Sequence, residues 1–325
     1  IFLKLAFITF KPLFFLFSIF QMYYVLRKHT FDTMLANCGG YGDFRSEMAG
    51  IFASKFLGIK NIHILFHHCY IKPRFWSYLV DFTSLLIGRC VSSLIFVSFA
   101  TKKSIKNNTK IFHLFKNKAF VIHNGVAIRP IKKNKLKLFK TKNNILKILM
   151  LSRIEKYKGQ MDLIDAFIKL PKKTQNKYKI FFVGSGSPNE KILLQKKIDS
   201  FQLTKHFKII NYINKDSLTI ISNFDLFISL TRDFEGFGYS IAEAIFAGTP
   251  VISTRVGGVS EFLSDKNSEL IKPQDVFKIS KLLKNFVNEK KRWKKKAMNG
   301  RKLIINKYNS ELMSKKYFKL LIQKK

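Results

Sequence analysis

Short, continuous apolar runs alternate with helical stretches along most of this 325-residue chain, and that alternation constrains the fold more than any other feature. In the first half the runs lie at residues 33–36, 62–66, 93–97 and 119–122, with helical stretches at 45–57, 75–89 and 100–113. In the second half they lie at 147–151, 180–183, 208–211, 226–230 and 251–253, separated by helical stretches at 160–170, 190–201, 216–223, 240–246 and 275–286. Strands buried on one face alternate apolar with polar residues. Strands that are apolar throughout need cover on both faces, and helices between them supply it. The pattern therefore predicts an α/β protein with two successive parallel sheets. A basic, Asn-rich stretch with Pro130 at its head and no hydrophobic period separates the two halves. After Lys290 the pattern is helical to the end, with Asn309 and Ser310 placed to start a final helix.

The chain carries 59 Lys and Arg against 20 Asp and Glu, a formal net charge of +39. The cations are spread along the sequence rather than gathered on one element, so no specific nucleic-acid partner is expected. A solvated basic surface or attraction to an anionic membrane surface accounts for them. Apolar residues make up 47%, enough for real cores, which excludes wholesale disorder. Three cysteines, Cys38, Cys69 and Cys90, have no paired spacing, excluding a disulfide scaffold or a zinc ribbon and pointing to a reducing compartment. Residues 1–26 are strongly apolar but interrupted by Lys4 and Lys11. The uncharged part, 12–26, falls short of the ~20 residues a bilayer span needs. No small-residue cleavage site follows it. It reads as a helix packed in a core or lying at a membrane interface. The sequence opens on Ile1 and this helix leads directly into the first strand, which reads as a fragment whose first domain is incomplete.

The chemistry concentrates in residues 233–261, DFEGFGYSIAEAIFAGTPVISTRVGGVSE. A strand ends, a loop containing Gly236 and Gly238 follows, and a helix begins near Ser240. Glycines let backbone amides approach a ligand, and a helix start adds unsatisfied N–H groups and a partial positive charge that favour phosphate. Glu235 lies in the loop and Glu243 in the first turn, so both carboxylates are expected near the carboxyl ends of parallel strands. Upstream, Arg153 and Lys158 follow the strand ending at Leu151, two cations suited to a diphosphate. Residues 183–186, VGSG, form a strand end and a tight turn. In the first half, 37–43, NCGGYGD, follows a strand; it is either the acceptor side of a cleft or a turn that needs glycines. His63, His67 and His68 lack a carboxylate or cysteine at metal-ligand spacing, and neighbouring strand residues point to opposite faces, so no metal site is expected.

Taken together, these residues resemble the retaining, nucleotide-sugar-dependent glycosyltransferases of family 4. Glu235-Gly-Phe-Gly, four residues and then Glu243-Ala match the family's signature. Arg153 and Lys158 sit in a match to G-R-L-x-x-x-K-G, with Ser152 in place of its first glycine. VIHNG at 121–125, VGSG and PVISTRVGGVSE complete five motifs in the family's order, from about Thr33 to the C-terminus.

The resemblance implies the GT-B fold, two Rossmann-like domains facing across a cleft. The division would be 1–128 for a partial acceptor-side domain and 129–145 for a basic linker. Residues 146–305 would form the nucleotide-sugar-binding domain, and 306–325 a helix crossing back to the first. It implies that Arg153 and Lys158 bind the donor diphosphate, that Glu235 meets the transferred sugar and that Glu243 accepts from the ribose diol. Gly184, Gly236, Phe237, Gly238, Tyr239 and Ser240 would surround the donor. His67, or its neighbour His68, would meet the donor sugar from the other domain, and Gly39, Gly40 and Tyr41 would border the acceptor. No D-x-D tripeptide occurs, so neither metal nor other cofactor is expected. The implied partners are a nucleoside diphosphate sugar and a glycan or lipid-linked acceptor, at the inner face of the cell membrane. Two other functions fit the residues. A nucleotide-sugar epimerase of the same architecture is separated by product analysis. A non-catalytic basic protein binding nucleic acid or membrane is separated by steep salt dependence and indifference to nucleotide sugars.

Overall fold

The computed structural model describes residues 10–39, 46–70, 77–115, 117–131, 136–142 and 144–322. The chain forms two compact units, one of Ile1–His123 with Met313–Lys325 and the other of Asn124–Leu312. Each is a parallel sheet with helices, the two Rossmann-like domains that the strand pattern predicts.

In the first unit, strands β1 (Thr33–Cys38), β2 (Asn61–Phe66), β3 (Ser93–Phe96) and β4 (Ala119–Val121) pair in parallel in chain order. Their registers align Cys38 with Phe66, Phe66 with Phe96 and Phe96 with Val121, so the carboxyl ends stand level. Helices α1 (Lys11–Leu26), α2 (Ser46–Phe56), α3 (Ser77–Cys90) and α4 (Phe99–Asn108) connect or flank them. β2 and β3 are buried almost throughout, with Phe66 stacked on Phe96 at 5.4 Å. β1 differs from the expected fully buried strand: Leu35 and Asn37 are exposed, because it is the edge of the described sheet and pairs on one flank only.

The second unit has six parallel strands, β5 (Leu146–Leu151), β6 (Tyr178–Val183), β7 (Phe207–Ile210), β8 (Leu226–Ser229), β9 (Val251–Thr254) and β10 (Glu269–Ile271). Their spatial order is 10-9-8-5-6-7. The chain runs outward from β5 to β7, then returns to place β8 on the other flank of β5. At this reversal the loops leaving β5 and β8 stand side by side at the carboxyl edge of the sheet, where open α/β sheets form their ligand crevice. β10 has no clear signal in the sequence, because it is three residues long and opens on a buried acid, Glu269. Arg292 and Lys296 each donate to that carboxylate at 2.5 Å.

The helices start where their caps dictate. α5 (Gln160–Ile168) and α6 (Lys172–Gln175) follow β5; α7 (Pro188–Ser200) is capped by Ser187, and α8 (Ser217–Ile221) by Asp216. α9 (Tyr239–Phe246) follows β8. α10 (Val276–Phe286), capped by Asp275, buries Ile279, Leu282, Leu283 and Phe286, the i, i+3, i+4, i+7 stripe. α11 (Lys290–Lys307) and α12 (Ser310–Ile322) complete the chain. Within the stretch expected as a linker, Phe139 is buried against Phe181 and Phe224, and the Leu136 amide donates to Asn223. That part of the stretch packs as a piece of the second unit.

Candidate functional site

The loops leaving β5 and β8 in the second unit both carry charged residues singled out in the sequence. The β5 loop holds Lys158 at the end of a 3-10 turn, Lys156–Lys158. The β8 loop holds Glu235, and Lys158 Nζ donates to Glu235 Oε2 at 2.8 Å. Both side chains are mostly buried, and the Thr231 hydroxyl donates to the same carboxylate oxygen at 3.3 Å. Residues 77 positions apart in sequence thus meet at the crevice mouth.

Backbone packing fixes this geometry. Gly159, with φ +80°, follows Lys158 and passes so close to β8 that a Cβ there would lie 2.3 Å from the Leu230 carbonyl oxygen. Gly257, with φ +52°, lies against Glu235 itself: a Cβ would stand 2.1 Å from its carbonyl oxygen, and the Gly258 amide donates to that oxygen at 2.8 Å. The Gly257–Gly258 pair is therefore the seat for the Glu235 backbone. Gly184 has a related role, since a Cβ there would meet the Ser152 carbonyl oxygen at 2.0 Å. It lets β6 end against the β5 loop.

Arg153 is placed differently from Lys158. Its guanidinium donates to Glu155 at 2.7 Å and to the Tyr157 hydroxyl at 2.6 Å, and it remains largely exposed. Tyr157 links the two cations, because Lys158 Nζ also lies 5.0 Å from its ring centre. Burial first, and the Glu155 carboxylate second, push the Tyr157 phenol up to about 12, so it stays a neutral hydroxyl. Arg153, Tyr157, Arg232 and Asp233 line a cavity of about 680 Å³.

The glycine-rich loop delivers its residues as expected, with one shift. α9 begins at Tyr239, one residue early, and Gly238 (φ +88°) precedes it. Glu243 is thus its fifth residue, beyond the expected first turn. The first intrahelical bonds run from Ile241 and Ala242 to the Gly238 carbonyl, leaving the Tyr239 and Ser240 amides ahead of the ladder. Gly236 and Phe237 are buried, and Phe237 packs on Phe262 at 4.9 Å and near Tyr308 at 6.1 Å. The Tyr239 hydroxyl donates to the Gly125 carbonyl at 2.8 Å, tying this loop to the HNG turn.

Glu243 sits apart from the Lys158–Glu235 pair. It accepts from Ser217 Oγ at 2.7 Å. Burial raises its carboxyl above the ordinary range and Asp216 adds to that, opposed by the Ser217 hydrogen bond and by Arg129. A half-buried carboxylate that accepts from a hydroxyl keeps acceptor capacity to spare, which suits a neutral diol donating two hydrogen bonds.

In the first unit His67 follows β2, and its amide donates to the Cys38 carbonyl at 3.0 Å. Its Nε2 is buried with no hydrogen-bond partner among the described residues, and burial lowers its pKa. His68 instead meets the Cys69 thiol at 3.2 Å. His63 is a core residue bonded to Ser93 at 2.7 Å. Gly39 follows β1 and is exposed; Gly40 and Tyr41 lie outside the described residues. No His, Cys, Asp and Glu group among the described residues could hold a metal.

Two features escaped the sequence reading. Arg232 makes paired bonds to buried Asp162, at 3.0 and 2.5 Å, and its amide donates to the Tyr157 carbonyl at 2.8 Å. The β8 loop is thereby bolted to the β5 loop and α5. The other is Tyr157 itself. Position was the available signal: Arg232 is three residues before Glu235, and Tyr157 stands beside Lys158.

A six-stranded parallel sheet with its strand-order reversal between β5 and β8 and a glycine loop entering a helix make the second unit a Rossmann-like domain, and the two parallel-sheet units together have the GT-B architecture. The model of the glycosyl transferases group 1 matches residues 129–303, and the chain belongs to that family. It is 24% identical over 307 residues to the uncharacterized glycosyltransferase MJ1069 of Methanocaldococcus jannaschii, covering 87% of this chain and 77% of that protein. It is 26% identical over 232 residues to the capsular polysaccharide biosynthesis glycosyltransferase CapM of Staphylococcus aureus, covering 69% of this chain and 60% of CapM. Among solved structures, HepE of Anabaena in complex with UDP and glucose superposes with a TM-score of 0.77 at 19% identity. That match covers 93% of this chain and 80% of HepE.

Proposed function

We propose that the chain is a retaining glycosyltransferase of the family 4 type. It moves a hexosyl group from a nucleoside diphosphate sugar to a glycan or lipid-linked acceptor in cell-surface polysaccharide synthesis, at the cytoplasmic face of the membrane. The observation that carries this reading is the Lys158–Glu235 pair at the sheet's reversal point, seated by Gly159 and Gly257. Lys158 and Arg153 take the diphosphate oxygens, Glu235 accepts from sugar hydroxyls and Glu243 from the ribose diol. Gly184 and the loop from Gly236 to Ser240 let the backbone approach the donor. His67 meets the sugar, and Gly39, Gly40 and Tyr41 border the acceptor. In the transfer step the bond from the anomeric carbon to the diphosphate oxygen breaks, and its electron pair leaves with the diphosphate. The acceptor oxygen bonds to that carbon on the same face, and its proton passes to the departing diphosphate. Charge grows on the leaving group, and fixed cations placed in advance stabilise it without a metal. The likeness to CapM supports a polysaccharide role, and the likeness to UDP-bound HepE supports a nucleoside diphosphate donor.

The test is nucleoside diphosphate release from a panel of UDP-, GDP- and dTDP-sugars, with and without EDTA. Glu235→Ala and Arg153→Ala are expected to lower turnover of the preferred donor by about a hundredfold or more. Unchanged turnover in both variants overturns the reading.

A further inference from the structure

Arg153 and Lys158 stand on one short loop, and Tyr157 meets the side chains of both. The Arg153 backbone is pinned. Its carbonyl accepts from the buried Gln160 side chain at 2.9 Å, and the next amide, of Ile154, donates to the Ser185 carbonyl at 2.7 Å. The Arg153 side chain, by contrast, is 61% exposed. A long exposed side chain samples many rotamers, and a ligand that must order it binds more weakly for that reason.

Two acceptors from the same loop remove this freedom. Glu155 accepts from Arg153 Nη1 at 2.7 Å, and the Tyr157 hydroxyl accepts from Nη2 at 2.6 Å. A single anchor would leave the planar guanidinium free to turn about one bond, whereas anchors on two nitrogens fix its plane. An arginine has five N–H groups, so two anchors leave three for a phosphate. The anchors are themselves rigid: the Lys158 amide donates to the Glu155 carbonyl at 2.9 Å, closing the turn, and the Arg232 amide donates to the Tyr157 carbonyl at 2.8 Å.

Tyrosine suits this place better than another acceptor. Its phenol is buried enough to stay neutral, so it accepts from Arg153 without adding a negative charge that would oppose the diphosphate. Its ring centre lies 5.0 Å from Lys158 Nζ, within the range at which a ring face attracts a cation. Phenylalanine would keep the ring and lose the acceptor.

We infer that Tyr157 is a positioning residue for the transfer: its hydroxyl, with Glu155, fixes the plane of the Arg153 guanidinium before the donor arrives. This role presupposes that Arg153 takes the donor diphosphate, as proposed above.

The experiment is a double-mutant cycle between Tyr157→Phe and Arg153→Ala. The readouts are nucleoside diphosphate release from the UDP-, GDP- and dTDP-sugar panel and calorimetric affinity for the nucleoside diphosphate released. Tyr157→Phe alone is expected to lower kcat/KM by about tenfold. Most of that loss should fall on kcat, because the charge that Arg153 meets is greatest in the transition state. In the Arg153→Ala background the same change should have no further effect on either readout, since no guanidinium remains to be held. The thermal midpoint of Tyr157→Phe is expected to match wild type, because the bond it removes is to an exposed side chain. Arg153→Ala losing turnover while Tyr157→Phe matches wild type overturns the role of Tyr157 and leaves the transfer reading standing. So does a loss from Tyr157→Phe that persists in full without Arg153, which would make the phenol a structural group. A wild-type chain that releases no nucleoside diphosphate from the panel, and binds none, fails the transfer reading and this role with it.

Discussion

Replacing Gly257 by alanine tests the geometry on which the site depends, because the three atoms nearest the new methyl are all backbone atoms of Glu235. Its Cβ would lie 2.1 Å from the Glu235 carbonyl oxygen, 2.8 Å from its nitrogen and 2.9 Å from its carbonyl carbon. Ordinary contact is about 3.5 Å, so Glu235 must retreat by about 1.4 Å. The move breaks the Gly258 amide bond to Glu235, a loss of about 1 kcal/mol. Holding alanine at φ +52° adds about 1–2 kcal/mol. Together they predict about 2–3 kcal/mol of destabilisation, or about 4–12 °C in a domain of this size. Displacement on that scale costs about a hundredfold in turnover when the moved group positions the substrate. Gly248 is the control. It also has a positive φ, +77°, but a Cβ there meets nothing within 4 Å. Gly248→Ala should show only the conformational cost, with turnover intact. The assays are thermal melting and nucleoside diphosphate release from the preferred donor. Gly257→Ala turning over within twofold of wild type refutes the seat, and so does an equal loss of turnover in Gly248→Ala.

Three further expectations follow from the same contacts. Lys158→Ala should lower turnover by about 10²–10³, because it removes a fixed cation from the leaving group; wild-type turnover in steady-state kinetics counts against its role. Arg232→Ala should cost about 3 kcal/mol in a denaturant melt, since it strands the buried Asp162 carboxylate. Adding Asp162→Asn should restore most of that, and no restoration would mean the pair does not act through its charges. Glu243 is raised by burial, so between its folded and unfolded values the native state holds more protons, and stability rises as pH falls through the window just above the ordinary glutamate range. Nucleotide affinity should fall over the same window as the carboxylate loses its acceptor capacity. Titration calorimetry with UDP across about pH 4–7, on wild type and Glu243→Gln, checks this; identical profiles refute it.

Much of the fold was legible because burial on both faces leaves a direct mark: β2, β3 and β6 are apolar runs and are buried as such. β10 was not legible, because its Glu269 is neutralised by Arg292 and Lys296 from α11, residues no local window associates with a strand. Phe139 looked like part of a linker because its partners, Phe181 and Phe224, are remote in sequence. Of the candidate site, Glu235, Lys158 and the glycines carried a spacing that could be read. Arg232 did not, since its meaning lies entirely in Asp162.

By itself the sequence determined the parallel α/β class, the position of each glycine loop and the charged residue types that stand in and beside those loops. These follow from local hydrophobic period and from conformations only glycine tolerates at low cost. The tertiary structure alone decided that the chain reverses between β7 and β8, setting the β5 and β8 loops side by side. Contacts across that reversal, Lys158 to Glu235 and Arg232 to Asp162, depend on strand order, and strand order is set by packing the whole sheet rather than by any stretch of it.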